Sequence, residues 1–184
     1  MNIVRTNGAR LAIILGTPAS GKTTLARRLS EDLSLPAFSK DDIKETLFDV
    51  LECTDRETSR LLSEASFAAL ARLAHAQLAG GRSCIVEGNW RAAHAGMLRG
   101  IVSGAAAQGA QIWCCAEPQE IVRRFTSRRR HAGHLDALLP ASEIAAAAAH
   151  APAFLDLVGP RWIYRSDTAH AYEDLLGLLK SWRL

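Results

Sequence analysis

The chain has 184 residues, of which 48% are apolar and 22% charged, and its formal net charge is +3. That mixture excludes a disordered or fibrous chain, and the length suits one domain able to close a core without disulfide or metal staples. A charge this small argues for no nucleic-acid partner by itself.

The four cysteines, Cys53, Cys84, Cys114 and Cys115, form no C-x-x-C pair. The vicinal pair lies in the apolar run Ile112 to Ala116, so reduced thiols of a cytoplasmic protein are expected rather than a metal site. Leu11 to Leu15 is too short an apolar core for a secretory signal. Gly100 to Ala116, the longest stretch without charge, is broken by glycine, glutamine and serine, so no membrane segment is expected.

In chain order, the apolar run Leu11 to Leu15 predicts a strand that stops at a glycine-rich turn. Leu25, Ala26, Leu29 and Leu33 then recur at helical spacing. A short strand near Pro36 to Ser39 precedes a helix from about Asp41, where Ser39 and Asp42 resemble a capping box. From Glu57 to Leu78 the stripe Leu62, Ala65, Ala69, Leu73 and Ala76 predicts a long amphipathic helix, with Arg60, Glu64 and Arg72 on its other side.

Gly80-Gly81 ends that helix, and Ser83 to Val86 predicts a buried strand that delivers Glu87 to a loop. Further strands are expected at Ala110 to Ala116 and Arg161 to Arg165. Helices are expected after Pro118, over about Ala141 to His150, and near the end at Trp182. The alternation predicts an α/β fold with a parallel five-stranded sheet between helices, its ligands bound beyond the carboxyl ends of the strands. Gly16, Asp41, Glu87 and Ala116 all fall at that edge.

Gly16-Thr17-Pro18-Ala19-Ser20-Gly21-Lys22-Thr23 fits G-x-x-x-x-G-K-[ST], between a predicted strand and a predicted helix as that motif requires. The spacing has a chemical reason. Glycines let successive N–H groups turn inward around phosphate oxygens, and the following helix points its positive end at the same anion. Lys22 adds a full charge, Thr23 a hydroxyl for Mg²⁺, and Thr24 continues the site into the helix. The expected ligands are ATP and Mg²⁺.

Taken together, Gly16 to Thr23, Ser39-Lys-Asp41-Asp42-Ile-Lys44, Ile85-Val-Glu87-Gly-Asn89 and Arg124 to His134 resemble the small P-loop kinases of the AAA_33 group. That group is similar to the kinase domain of phage polynucleotide kinase, and more distantly to zeta toxins and chloramphenicol phosphotransferase. The resemblance implies that Asp41 is the general base for an acceptor hydroxyl, the alternative being that Asp41 and Asp42 merely cap the helix. It implies a basic acceptor contact at Lys44. Glu87 stands where such proteins carry an acid for the Mg²⁺ water shell, or it faces the acceptor. Asn89 becomes an acceptor contact, and Trp90 either a stacking surface or plain core.

Arg123, Arg124, Arg128, Arg129 and Arg130 crowd eight positions, where the resemblance places a mobile helical lid, about residues 124–140 of a single domain 1–184. In that reading Arg124 stabilises transition-state charge and Arg128 lies nearer the adenine. His131-Ala132-Gly133-His134 resembles the lid end of the group with Ala132 in place of its proline, and a metal pair at the two histidines is the competing reading. Asp167-Thr168 resembles the adenine-side loop.

No guanine-reading N-K-x-D segment occurs, and an ABC or motor ATPase would be larger, so a GTPase and a motor are disfavoured. The expected activity is a kinase acting on a small hydroxyl compound. The alternatives are a polynucleotide 5′-hydroxyl kinase and a non-catalytic ATP-binding module.

Overall fold

The computed structural model describes residues 8–51, 55–128, 131–134 and 140–184. Strands β1 (Arg10–Gly16), β2 (Ala37–Ser39), β3 (Cys84–Glu87), β4 (Gln108–Cys115) and β5 (Arg161–Arg165) form one five-stranded sheet in the order β2-β3-β1-β4-β5. Every pairing is parallel. The connections carry helices α1 (Lys22–Leu33), α2 (Lys40–Leu51), α3 (Arg56–Ala79), α4 (Ala95–Gly104), α5 (Pro118–Ser127) and α6 (Ala141–Ala148), and α7 (Ala171–Ser181) follows β5.

The central strand shows why its sequence is apolar throughout. Leu11, Ile13 and Leu15 pack with Phe67, Leu70 and Ala74 of α3 and Leu98 of α4. Ala12 and Ile14 turn to the opposite face, against Leu25 and Leu29 of α1 and Leu175 and Leu179 of α7. A parallel strand covered by helices on both sides has no solvent face, so alternation disappears from its sequence. The edge strand β5 is unlike it: Ile163 is exposed, and Arg161 and Arg165 flank the strand, a charged edge of the kind that discourages pairing with another chain.

One expectation is corrected and one element is added. The buried stripe of α3 is Ser59, Leu62, Ser66, Phe67, Leu70, Ala71, Ala74 and Leu78, whereas Ala65, Leu73 and Ala76 face outward. Alanine on several faces blurs the helical period, and Ser66 enters the core because its hydroxyl donates to Leu62 O at 2.6 Å. The helix α4, preceded by a short 3₁₀ turn at Ala92–His94, was not anticipated. Gly96, Gly100 and Gly104 weaken its propensity, and it is held by packing of Leu98 and Ile101 on the sheet.

Strand register brings the functional edge together. Ile14 pairs with Glu87, Glu87 with Ser39, and Gly16 with Cys114, so the ends of β1, β2, β3 and β4 lie at one level. Among the described residues no helix is long and apolar enough to cross a membrane.

Candidate active site

The turn after β1 is shaped by its backbone. Gly16 has φ 148° and Gly21 φ 96°, and Ala19 also takes a left-handed φ of 61°. A Cβ at Gly16 would lie 2.1 Å from Cys114 O, so only glycine lets the turn pass this close to β4. Gly21 caps α1 with no side-chain bond, and the first turn of α1 carries no acid, so its N–H groups and positive end stay open to an anion. Lys22 arches back over the turn, its Nζ donating to Thr17 O at 2.8 Å. Burial pushes this ammonium below the ordinary lysine range, against the pull of Glu87 and Asp41.

Glu87, 2% exposed at the end of β3, accepts from Ser39 Oγ at 2.5 Å and from Thr23 Oγ1 at 3.2 Å. Burial raises its pKa, while Lys22 and the two hydroxyls draw it back. The β2–α2 corner then sets Asp41 apart from its neighbours. Ser39 Oγ accepts from the backbone N–H of Asp42 at 3.3 Å and so serves as the cap, which leaves the Asp41 carboxylate without a capping bond. Its hydrogen-bond partner is Lys40 Nζ at 3.2 Å, and its side chain is 46% exposed. Burial works against ionisation of Asp41, but Lys40, His134 and Lys22 outweigh it and hold the carboxyl below its usual range.

A cavity of about 1220 Å³ opens over this edge. That volume exceeds the ~300–1,000 Å³ usual for one small ligand and leaves room for two. At one end stand Gly21, Lys22, Thr23 and Thr24, with Arg124 beside them. Arg124 is clamped: its guanidinium donates to Glu120 Oε1 and to Ser166 Oγ, each at 2.7 Å. Arg128 follows α5 in extended conformation and also lines the cavity. At the other end Lys40 reaches Ser63 Oγ at 3.3 Å and Lys44 reaches Ser59 Oγ at 2.9 Å, joining α2 to α3.

Most residues expected from the sequence therefore meet at one cavity, with differences. Pro18 and Ala19 line it, whereas Gly16, Thr17, Ser20 and Glu87 do not, Ser20 and Glu87 being buried. Asn89 faces the cavity. Trp90 does not: it is 6% exposed and packs on Phe67 at 4.8 Å between ring centroids, so the stacking-surface expectation is corrected to core. Asp167 is also corrected. Its carboxylate accepts from the Glu117 backbone N–H at 2.7 Å, fixing the entry to α5, and Ser166 and Tyr164 take the cavity wall instead.

His131 to His134, in the segment expected to form a lid, pack on α2. His131 Nε2 lies 3.0 Å from Asp49 Oδ1 and His134 Nε2 2.7 Å from Glu45 Oε1, while Phe48 packs against Gly133. The two histidines thus face separate carboxylates, and no cluster suited to a metal occurs among the described residues. Arg129 and Arg130, and the lid positions 135–139, lie outside the described residues. Sequence reasoning gave no role to Lys40, Arg56, Arg60, Arg91 or Ser166, all of which line the cavity. The first adjoins Asp41, and Arg56, Arg60 and Ser63 recur at helical spacing; the i, i+4 step was the available signal.

Comparison with known proteins bears on this geometry. A crystal structure of a candidate kinase from Chloroflexus aurantiacus J-10-fl superposes with a TM-score of 0.86 at 30% identity, covering 96% of this chain and 98% of that one. The Mycobacterium tuberculosis APS kinase, in complex with AMPPNP and APS, gives a TM-score of 0.59 at 17% identity over 94% and 98% of the two chains. A gluconokinase from Sinorhizobium meliloti 1021 gives 0.54 at 14% over 98% and 99%. The last two establish likeness of fold alone.

An uncharacterized protein of Mycobacterium tuberculosis H37Rv is 35% identical over 88 residues, 44% of this chain, and the chain spans 18% of that relative's length. The family model AAA_33, described as an AAA domain, matches residues 11–152. That match covers more than half of the sequence, including the phosphate turn and every strand except β5, and the chain belongs to the AAA_33 family.

Proposed function

We propose that this protein is a kinase that transfers the γ-phosphate of ATP, with Mg²⁺, to a hydroxyl of a small-molecule acceptor. One observation carries the reading: Asp41, ionised and free of capping duty, opens into the same cavity as Lys22, Thr23 and Arg124. A nucleotide switch or a passive binding module has no need of a carboxylate there. The kinases among the structural relatives, one of them in complex with both AMPPNP and APS, support the same reading.

The proposed division of labour follows from placement. The turn and the open end of α1 bind the phosphates, and Lys22, released from Thr17 O, meets their oxygens. Thr23 Oγ1 and Glu87 Oε1, 3.2 Å apart, are hard oxygen donors that fit Mg²⁺, and Glu87 is proposed to serve the ion rather than the acceptor. Such an ion supplies charge neutralisation at the β- and γ-phosphates. Arg124, held by Glu120 and Ser166, is preorganised for charge that grows on the transferring group. Asp41 accepts the hydroxyl proton, while Lys44 and Asn89 lie on the acceptor side.

The test is acceptor-dependent release of ADP from Mg·ATP across a panel of hydroxyl compounds, with Lys22→Ala as control. Release that rises with one acceptor and vanishes in the control supports a kinase. Slow hydrolysis indifferent to every acceptor supports a passive ATP-binding module instead.

A further inference from the structure

The acceptor end of the cavity is built from cations. Lys40 and Lys44 are 3% and 6% exposed; Lys40 bonds Asp41 and Ser63, and Lys44 bonds Ser59. Arg56 and Arg60 stand one helical turn apart on α3, and Arg91 follows β3; all three line the same cavity. None of these arginines joins an ion pair among the described residues. The carboxylates on the cavity wall are Asp41 and Glu57, and Asp41 is already engaged by Lys40.

A side pocket of about 200 Å³ opens at this end, and Arg60, Ser63, Asn89 and Arg91 line both spaces. Glu64, on its far wall, lies 4.0 Å from His94. Cations gathered on a concave wall repel one another and raise the local concentration of anions. Arginines at i, i+4 present forks that match a phosphate, whereas a neutral sugar offers them hydroxyl oxygens but no opposite charge and no bidentate anion.

We propose that the acceptor is a hydroxyl compound that already carries a phosphate monoester, held by Arg56, Arg60 and Arg91 while its hydroxyl points to Asp41. This rests on the kinase reading and narrows its substrate class. In the reaction the acceptor oxygen forms a bond to the γ-phosphorus of ATP as the bond from that phosphorus to the β,γ-bridging oxygen breaks. The hydroxyl proton passes to Asp41, and the products are ADP and a bisphosphorylated compound.

The experiment saturates the protein with Mg·AMPPNP, so that the phosphate turn is occupied, and titrates matched pairs by calorimetry. The pairs are glycerol with glycerol 3-phosphate, ribose with ribose 5-phosphate, and gluconate with 6-phosphogluconate. A 5′-hydroxyl oligonucleotide tests phosphodiesters. At least one monoester is expected to bind more than about tenfold tighter than its neutral or carboxylate parent and tighter than the oligonucleotide. That preference is expected to collapse in Arg56→Ala/Arg60→Ala. Both side chains are exposed, and a melting curve checks that the variant folds.

Equal binding within every pair, absence of binding by all the monoesters, an unchanged preference in the double variant, or tighter binding of the oligonucleotide would each overturn the proposal. The AMPPNP affinity of both proteins separates this from failure of the kinase reading. Transfer of phosphate to a neutral parent as efficiently as to its ester would refute the anionic acceptor and leave the kinase intact.

Discussion

The two ends of the cavity are built by different means. At the proposed phosphate end one contiguous segment, Gly16 to Thr24, supplies backbone N–H groups, a helix terminus, a lysine and a hydroxyl. At the proposed acceptor end the wall is assembled from side chains of α2, α3 and the turn after β3, joined by bonds such as Lys44 to Ser59. A backbone site recognises a group common to many proteins and tolerates little change. A side-chain site can be altered one residue at a time, which is where specificity among related kinases would reside.

That contrast can be broken most forcefully at Lys22. Lys22→Ala removes a buried charge that the proposed reaction directs at the phosphates, and transfer is expected to fall on the order of 10³ with weaker ATP binding. A variant of normal rate would mean the turn does not carry catalysis. Arg124→Ala should lower kcat by roughly 10² and disturb ATP affinity less, because the guanidinium is already fixed by Glu120 and Ser166 before the reaction begins. Steady-state kinetics with a separate AMPPNP titration checks the split. An effect confined to ATP affinity would reassign Arg124 to ground-state binding.

A smaller effect concerns pH. Burial raises the pKa of Glu87, so on acidification it loses its charge earlier than an ordinary carboxylate, and a protonated acid is a poor ligand for Mg²⁺. The Mg²⁺ concentration for half-maximal rate should therefore be higher at mildly acidic than at neutral pH in the wild type. Glu87→Gln should need more Mg²⁺ at both pH values and show little further dependence. A flat requirement in the wild type would remove Glu87 from the ion.

Trp90→Phe should change least in function. The substitution trims a core residue packed on Phe67, with an expected loss of about 1–2 kcal/mol in stability and unchanged kcat and acceptor KM. Thermal unfolding beside kinetics decides it, and a raised acceptor KM at unchanged stability would restore the stacking role.

The same contrast explains what the sequence could disclose. The strand-turn-helix of the phosphate end was legible because glycine, lysine and threonine act there through neighbours in the chain. The strands were legible because β1, β3 and β4 are apolar on both faces and are bounded by turns. Spacing alone puts Arg60 on the solvent-facing side of α3, since nothing local reveals that α2 and Asn89 close a cavity over it. Trp90 and Asp167 failed for a related reason. Each is in the right place along the chain, but rotamer and neighbours turn Trp90 into the core and Asp167 toward the Glu117 N–H. Helix α4 was hidden because its glycines erase the propensity that its packing overrides.

The step from nucleotide binder to kinase depends on Asp41, and one substitution tests it most directly. Asp41→Asn keeps shape and hydrogen-bonding capacity and removes the basic lone pair, and the cap at this corner belongs to Ser39. Turnover with a saturating acceptor, measured beside AMPPNP affinity and melting temperature, is predicted to fall on the order of 10²–10⁴ while affinity and stability stay close to wild type. An Asp41→Asn enzyme turning over within a few-fold of wild type would contradict the account and remove Asp41 as the base.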